Sequence, residues 1–169
     1  MAVIEKFLGQ RVEVLEDRRY DVKQGLWGRC VDRAIVFGLT PPALVLAGGV
    51  KDIDWLVEEN QAVRKGEAIL FAITGKIFYM EAPVAGIVQF NKGPKEDMTQ
   101  IAADPYGQGW LFLIDPDEEL DQAYQSLASA EAYLDALRYS EGGKNPDGIK
   151  GGVSGICKAV YSGIGMQKI

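Results

Sequence analysis

Apolar residues fall along the chain in short, mostly alternating runs, broken by glycine, proline and acidic turns, a pattern that points to a mainly β protein. Residues 33–39 (RAIVFGL) read as a buried strand. Thr40-Pro41-Pro42 follows as a helix start, because a threonine oxygen can cap free amides and proline gives up an N–H that has no partner there anyway. Gly48-Gly49 is a suitable stop. Residues 51–57 alternate, with Ile53, Trp55 and Val57 on one face. Residues 67–74 and 77–81 form two strands joined by a short turn, Thr74-Gly75-Lys76, with Gly75 as its permissive residue. Residues 84–90 continue the sheet, 94–103 are helical, and 110–114 (WLFLI) form a last strand. From 118 to 139 an apolar stripe (Leu120, Tyr124, Leu127, Tyr133, Leu134, Leu137) recurs near helical spacing, and Ser129 is placed to cap a second helical piece. The two ends are less patterned. Residues 1–19 read as a helix or an arm, and 141–155, rich in Gly, Lys, Asn and Ser, as a flexible linker. The pattern implies a small β-sandwich or flattened barrel with peripheral helices, mainly on the C-terminal side.

Composition narrows the function. With 169 residues and 47% hydrophobic content, the chain builds one domain with a real core. A net charge of −6 without clustered Lys and Arg argues against nucleic acid as a partner. There is no histidine. That removes Ser-His-Asp and Cys-His catalysis, histidine-ligated metals and the usual general base near neutral pH, leaving only carboxylates, Lys or Cys for any catalysis. Cys30 and Cys157 are far apart and are not a C-x-x-C pair. No stretch approaches the apolar length of a membrane span and no secretory signal opens the chain, so a cytoplasmic protein with reduced thiols and no membrane insertion is expected.

The chemistry is concentrated in residues 63–86, VRKGEAILFAITGKIFYMEAPVAG. One lysine, Lys76, stands at the apex of a hairpin between apolar strands. Taken alone it could be an ordinary solvated turn lysine. The whole stretch reads differently: a lysine held out on a tight turn can be modified and can then serve as a tether. Thr74, Gly75 and Gly86 support the hairpin, with Gly66 and Gly86 at equivalent places on its two sides.

This constellation resembles the lipoyl-domain family, and within it the H protein of the glycine cleavage system. Tyr20-Asp-Val-Lys-Gln-Gly-Leu-Trp27 resembles that family's opening motif, Gly38-Leu-Thr40 its Gly-Ile-Thr, and Ala130-Glu-Ala-Tyr133 its Ala-Glu-Glu-Tyr. Asp104-Pro-Tyr-Gly-Gln-Gly-Trp110 is close to its more specific Pro-Tyr-Gly-x-Gly-Trp. The resemblance implies an H-protein-like lipoyl (hybrid-motif) domain over 20–140, between an N-terminal extension (1–19) and a glycine-rich tail (141–169). It implies lipoate attached covalently at Lys76, attachment by a lipoate-protein ligase, and a non-catalytic carrier role within a multi-enzyme system.

Several positions depart from the H-protein pattern. Ile73 stands where an acidic residue is expected, the spacing from Lys76 to Gly86 is one residue short, and Gly25 occupies the region of a histidine. In these respects the chain resembles the lipoate-binding proteins of sulfur oxidation, which serve a cytoplasmic heterodisulfide-reductase-like (sHdr-like) complex. That resemblance implies a lipoamide arm shuttling sulfur intermediates or electrons, with Cys30 and Cys157 as possible redox cysteines. The alternatives are a glycine cleavage H protein carrying an aminomethyl group among the glycine cleavage enzymes, an unmodified binding module, and a two-cysteine redox protein.

Overall fold

The protein is described by a computed structural model covering residues 1–149. The chain opens with a hairpin, β1 (Ala2–Phe7) and β2 (Gln10–Val14), followed by β3 (Arg19–Asp21), β4 (Leu26–Val31) and β5 (Ala34–Leu39). Helix α1 (Pro41–Ala47) leads to β6 (Asp52–Trp55), β7 (Ala62–Val63), β8 (Ala68–Ile73), β9 (Ile77–Glu81) and β10 (Gly86–Phe90). Two short helices, α2 (Gly93–Glu96) and α3 (Thr99–Ala103), precede β11 (Phe112–Pro116). Helices α4 (Leu120–Gln125), α5 (Ala130–Arg138) and α6 (Glu141–Lys144) complete the described chain.

The strands form three antiparallel sheets. Six pair in the order β3-β4-β5-β11-β10-β7, three in the order β6-β8-β9, and β1 with β2. Among the described residues the sheets stay open, so the architecture is a sandwich and not a closed barrel. β10 shows why: Gly86, Val88 and Phe90 are buried while Ile87 and Gln89 face out, the alternation of a sheet packed on one side. Ile53, Leu70 and Met80 of the small sheet meet Phe37, Val88 and Phe112 of the large one in a single core. Phe37 and Phe112 are register partners and stack with centroids 5.1 Å apart, a contact that contributes about 0.5–1.5 kcal/mol beyond its area. Trp55 on Phe90, 5.4 Å apart, ties the small sheet to the large one.

A second cluster packs Phe7, Val12, Tyr20, Trp27, Tyr133 and Leu137 under α5. Trp27 lies over Gly38, its register partner, where any Cβ would meet the indole at 2.7 Å. Its Nε1 donates to the Pro105 carbonyl at 2.9 Å.

Helix α1 follows the sequence expectation. Thr40 caps it by accepting from the Ala43 amide at 3.1 Å, and Gly48 ends it at φ 74°. Ser129 caps α5 by accepting from Ala132. Residues 94–103 are two helices and not one, because Asp97 Oδ1 accepts from both the amide and the hydroxyl of Thr99 and turns the chain there.

Both ends differ from expectation. Residues 1–19 are neither helix nor arm: β1 and β2 pair through a turn at Leu8 (φ 50°) and Gly9 (φ 79°), burying Phe7, Val12 and Val14. The start of the expected linker is a turn of helix, α6, capped by Ser140. It closes on the first hairpin through the Gly9 amide to the Pro146 carbonyl and the Lys6–Asp147 ion pair.

Candidate functional site

The β8–β9 hairpin closes with Ile73 opposite Ile77 and leaves Thr74, Gly75 and Lys76 as its tip. Thr74 is buried, and its amide donates to the Lys76 carbonyl at 2.8 Å. The Thr74 hydroxyl adds a 3.2 Å bond to the same carbonyl. This staple fixes the backbone of the tip while the Lys76 side chain stays exposed. Among the described residues no carboxylate forms an ion pair with it.

The glycines divide the work differently from the sequence reading. Gly75 has no left-handed φ, and a Cβ there would meet nothing within 4 Å, so the turn does not require glycine. Thr74, not Gly75, shapes it. Gly66 does need its φ of 87°, and its amide bonds the Ala82 carbonyl at the hairpin base. Gly86 is instead a close approach: a Cβ would run into the Asp115 carbonyl. The two are therefore not equivalent positions.

The base of the hairpin is fastened by Gln24, from the β3–β4 turn. Its Oε1 accepts from the Glu81 amide at 2.7 Å, and its Nε2 donates to the Glu81 carbonyl at 2.9 Å and to Asp21 Oδ2 at 2.7 Å. Strand β9 is an edge, and this side chain takes the place of a neighbouring strand at one residue.

Beside the tip lies a cleft of about 590 Å³, with Lys76 in its lining. Phe78, Leu39, Ala43, Leu46, Tyr133 and Ala136 make its walls mainly apolar. Its size falls within the roughly 300–1,000 Å³ of small-molecule sites. The Tyr133 hydroxyl shares a hydrogen bond with Thr40, and burial pushes this phenol well above the ordinary tyrosine range. At neutral pH the wall is therefore uncharged at that point. An acyl chain on the Lys76 Nζ could lie along these walls; of the two exposed lysines lining the recess, Lys23 faces the Glu81 carboxylate at 4.0 Å, whereas Lys76 has no ion pair among the described residues.

Cys30 does not join this site. Cys30 sits half-buried on β4 opposite Ile35 and does not line the cleft. Burial, then the charge of Asp121, raises its thiol pKa, so its neighbour Arg29 does not activate it. Cys157 lies outside the described residues. Among those residues no group of His, Cys, Asp or Glu could hold a metal, and no helix is long and apolar enough to cross a membrane.

Sequence reasoning missed Gln24 and the outward side chains of the hairpin. Gln24 lay within the motif at 20–27, but nothing in that stretch pointed to a contact with the hairpin. The hairpin did carry a signal: Ile77-Phe-Tyr-Met80 is apolar on both faces of a strand, and Ile77 and Tyr79 are 56% and 62% exposed.

The fold is that of the lipoyl class of carrier domains. The family model described as glycine cleavage H-protein matches residues 18–140. A glycine cleavage system H protein of Thermus thermophilus is 32% identical over 130 residues, which is 72% of this chain and 100% of that one. Its counterpart from Anaeromyxobacter sp. (strain K) is 31% identical over 124 residues, covering 72% and 94%. The crystal structure of a glycine cleavage system H protein from Mycobacterium marinum superposes with a TM-score of 0.61 at 26% identity, over 72% of this chain and 97% of that one.

The chain belongs to the glycine cleavage H-protein family. Members of that family are non-catalytic carriers with lipoate attached covalently to a lysine, and this chain is a lipoyl carrier of that kind and not an enzyme.

Proposed function

We propose that Lys76 is the lipoyl-bearing residue and that residues 20–140 form the carrier domain, buttressed by the first hairpin. The observation that supports this most is an exposed amine, without an ion pair among the described residues, on a stapled hairpin tip beside an apolar cleft. Once attached, lipoate supplies two sulfurs on a flexible arm that can accept and release a small group. The chain's residues do the rest. Thr74 holds the tip, Gln24 holds the hairpin against the cleft, and Phe78, Leu39 and Tyr133 exclude water from the recess. Mass spectrometry of the Lys76 peptide from the native organism tests the assignment. A lipoyl mass on that peptide is expected, and a fully unmodified Lys76 would refute it.

The family match supports carriage of an aminomethyl group between the glycine cleavage enzymes, after attachment by a lipoate-protein ligase in the cytoplasm. One feature supports a second reading, sulfur transfer to a heterodisulfide-reductase-like complex: Ile73 makes the approach to Lys76 apolar where the resemblance predicts an acid. Loading the lipoylated protein with glycine and glycine decarboxylase separates the two. Efficient loading favours the first reading, and no loading beside an active H protein favours the second.

A further inference from the structure

The outward face of the three-stranded sheet is built unlike a solvent face. In its first row Asp52, Ile73 and Ile77 stand side by side, and in its second Asp54, Phe71 and Tyr79. Phe71 and Tyr79 meet edge to face with centroids 6.4 Å apart. Four apolar side chains thus form a patch that begins at the residue after Lys76. Asp52 and Asp54 edge it on β6, and Glu81, 4.0 Å from the Lys23 amine, ends the outward row of β9. Lys95 pairs with Asp52 at 3.0 Å, and Asp54 is exposed with no ion pair among the described residues. An exposed apolar patch on an edge strand is an aggregation hazard unless a partner covers it.

We propose that this face docks the enzyme that attaches lipoate to Lys76, and that the enzyme meets it with an apolar patch rimmed by basic side chains. The inference rests on Lys76 being the acceptor. Reach identifies the occupant. Before modification the reacting amine extends no further than one lysine side chain, so the attaching enzyme must close on the residues flanking the tip. Enzymes that later use the arm meet its far end and need not touch this face. The acidic rim and the net charge of −6 call for a basic partner. In the transfer itself, neutral Nζ attacks the carbonyl of an activated lipoyl group, an acyl adenylate (a mixed anhydride that loses AMP) or a thioester (which loses a thiol). The C–N bond forms, the bond to the activating group breaks and carries off its electron pair, and the proton passes to a base of the enzyme.

The test uses the full chain in its unlipoylated form, incubated with a clarified extract of the native organism, ATP and lipoate, and followed by intact mass. Variants are the double change Phe71→Thr with Tyr79→Thr, Asp54→Lys, and Ile87→Thr as a control on the other sheet. Acetylation of Lys76 by an N-hydroxysuccinimide ester reports whether the tip itself is unchanged. The double variant is expected to be lipoylated about tenfold more slowly, a loss of roughly 1.4 kcal/mol, with chemical acetylation and Ile87→Thr both at the wild-type rate. Asp54→Lys should be slow at low salt and approach wild type at high salt. Equal lipoylation of the double variant and wild type would overturn the docking face while leaving Lys76 as acceptor. A wild-type protein that is never modified would overturn the lysine assignment instead. If the rate falls only together with loss of a wild-type dimer in sedimentation, the face pairs copies of this chain and the inference fails.

Discussion

Gln24 offers the sharpest test of how the tether is held. Gln24→Ala removes three side-chain bonds, two of them to the backbone of Glu81 and one to Asp21. A neutral bond contributes about 0.5–1.5 kcal/mol net, and water at the edge strand replaces part of what is lost, so roughly 2 kcal/mol is expected. At about 1.4 kcal/mol per factor of ten, that is a ~30-fold loss of hydrogen-exchange protection at the Glu81 amide. Amides in β5 and β11, which do not depend on the clamp, should change less. Gln24→Glu keeps the shape and sharpens the test. One oxygen can still accept from the Glu81 amide, but the other faces the Glu81 carbonyl and the Asp21 carboxylate. The introduced acid then has a raised pKa in the folded state. Its protonated form restores the missing donor, so the protection it gives is present at low pH and is lost as pH rises through that pKa. Wild-type protection of Glu81 in Gln24→Ala, or a pH-independent effect in Gln24→Glu, would refute the clamp.

Gly38→Ala puts a methyl onto the Trp27 indole and should cost about 1–3 kcal/mol by overpacking, read as a lower denaturation midpoint with shifted tryptophan fluorescence; an unchanged midpoint would refute the close approach. Burial pushes Tyr106 up to about 12 and drives Tyr20 and Tyr133 higher still. Because the unfolded chain ionises first, near pH 10, stability should be intact below that pH and fall by about 1.4 kcal/mol per pH unit per tyrosine as pH rises towards 12. Unfolding monitored by circular dichroism alongside phenolate absorbance checks this, and phenolate formation well before unfolding would contradict it. Cys30, with its raised thiol pKa, should be alkylated far more slowly in the native protein than in urea, as peptide mapping can show.

The sequence made the local rules easy to read. Thr40, Pro41 and Gly48 bracket α1 because capping and left-handed closure are chemical demands of single residues. Ser129 and the ends of β9 were legible for the same reason. The first hairpin was not, because its turn puts a leucine at φ 50°, where asparagine or glycine would have advertised it. The short β3 and β7 were hidden as well: three and two residues are too few for a period, and their pairing is set by neighbours far away in sequence. At the site, Lys76 stood out by its flanking strands. The residue that fastens its hairpin did not, since Gln24 and Glu81 are 57 positions apart and meet only through the fold.

The seam between the first hairpin and α6 bears on how a minimal carrier could be cut from this chain. A fragment trimmed to 20–140 by motif alone would strip Phe7, Val12 and Val14 from the aromatic cluster that backs Tyr133 and Leu137. Those two residues also line the recess beside the tether. The strands that look dispensable in the sequence are thus the outer buttress of that recess, and pruning them would loosen its far side without touching Lys76.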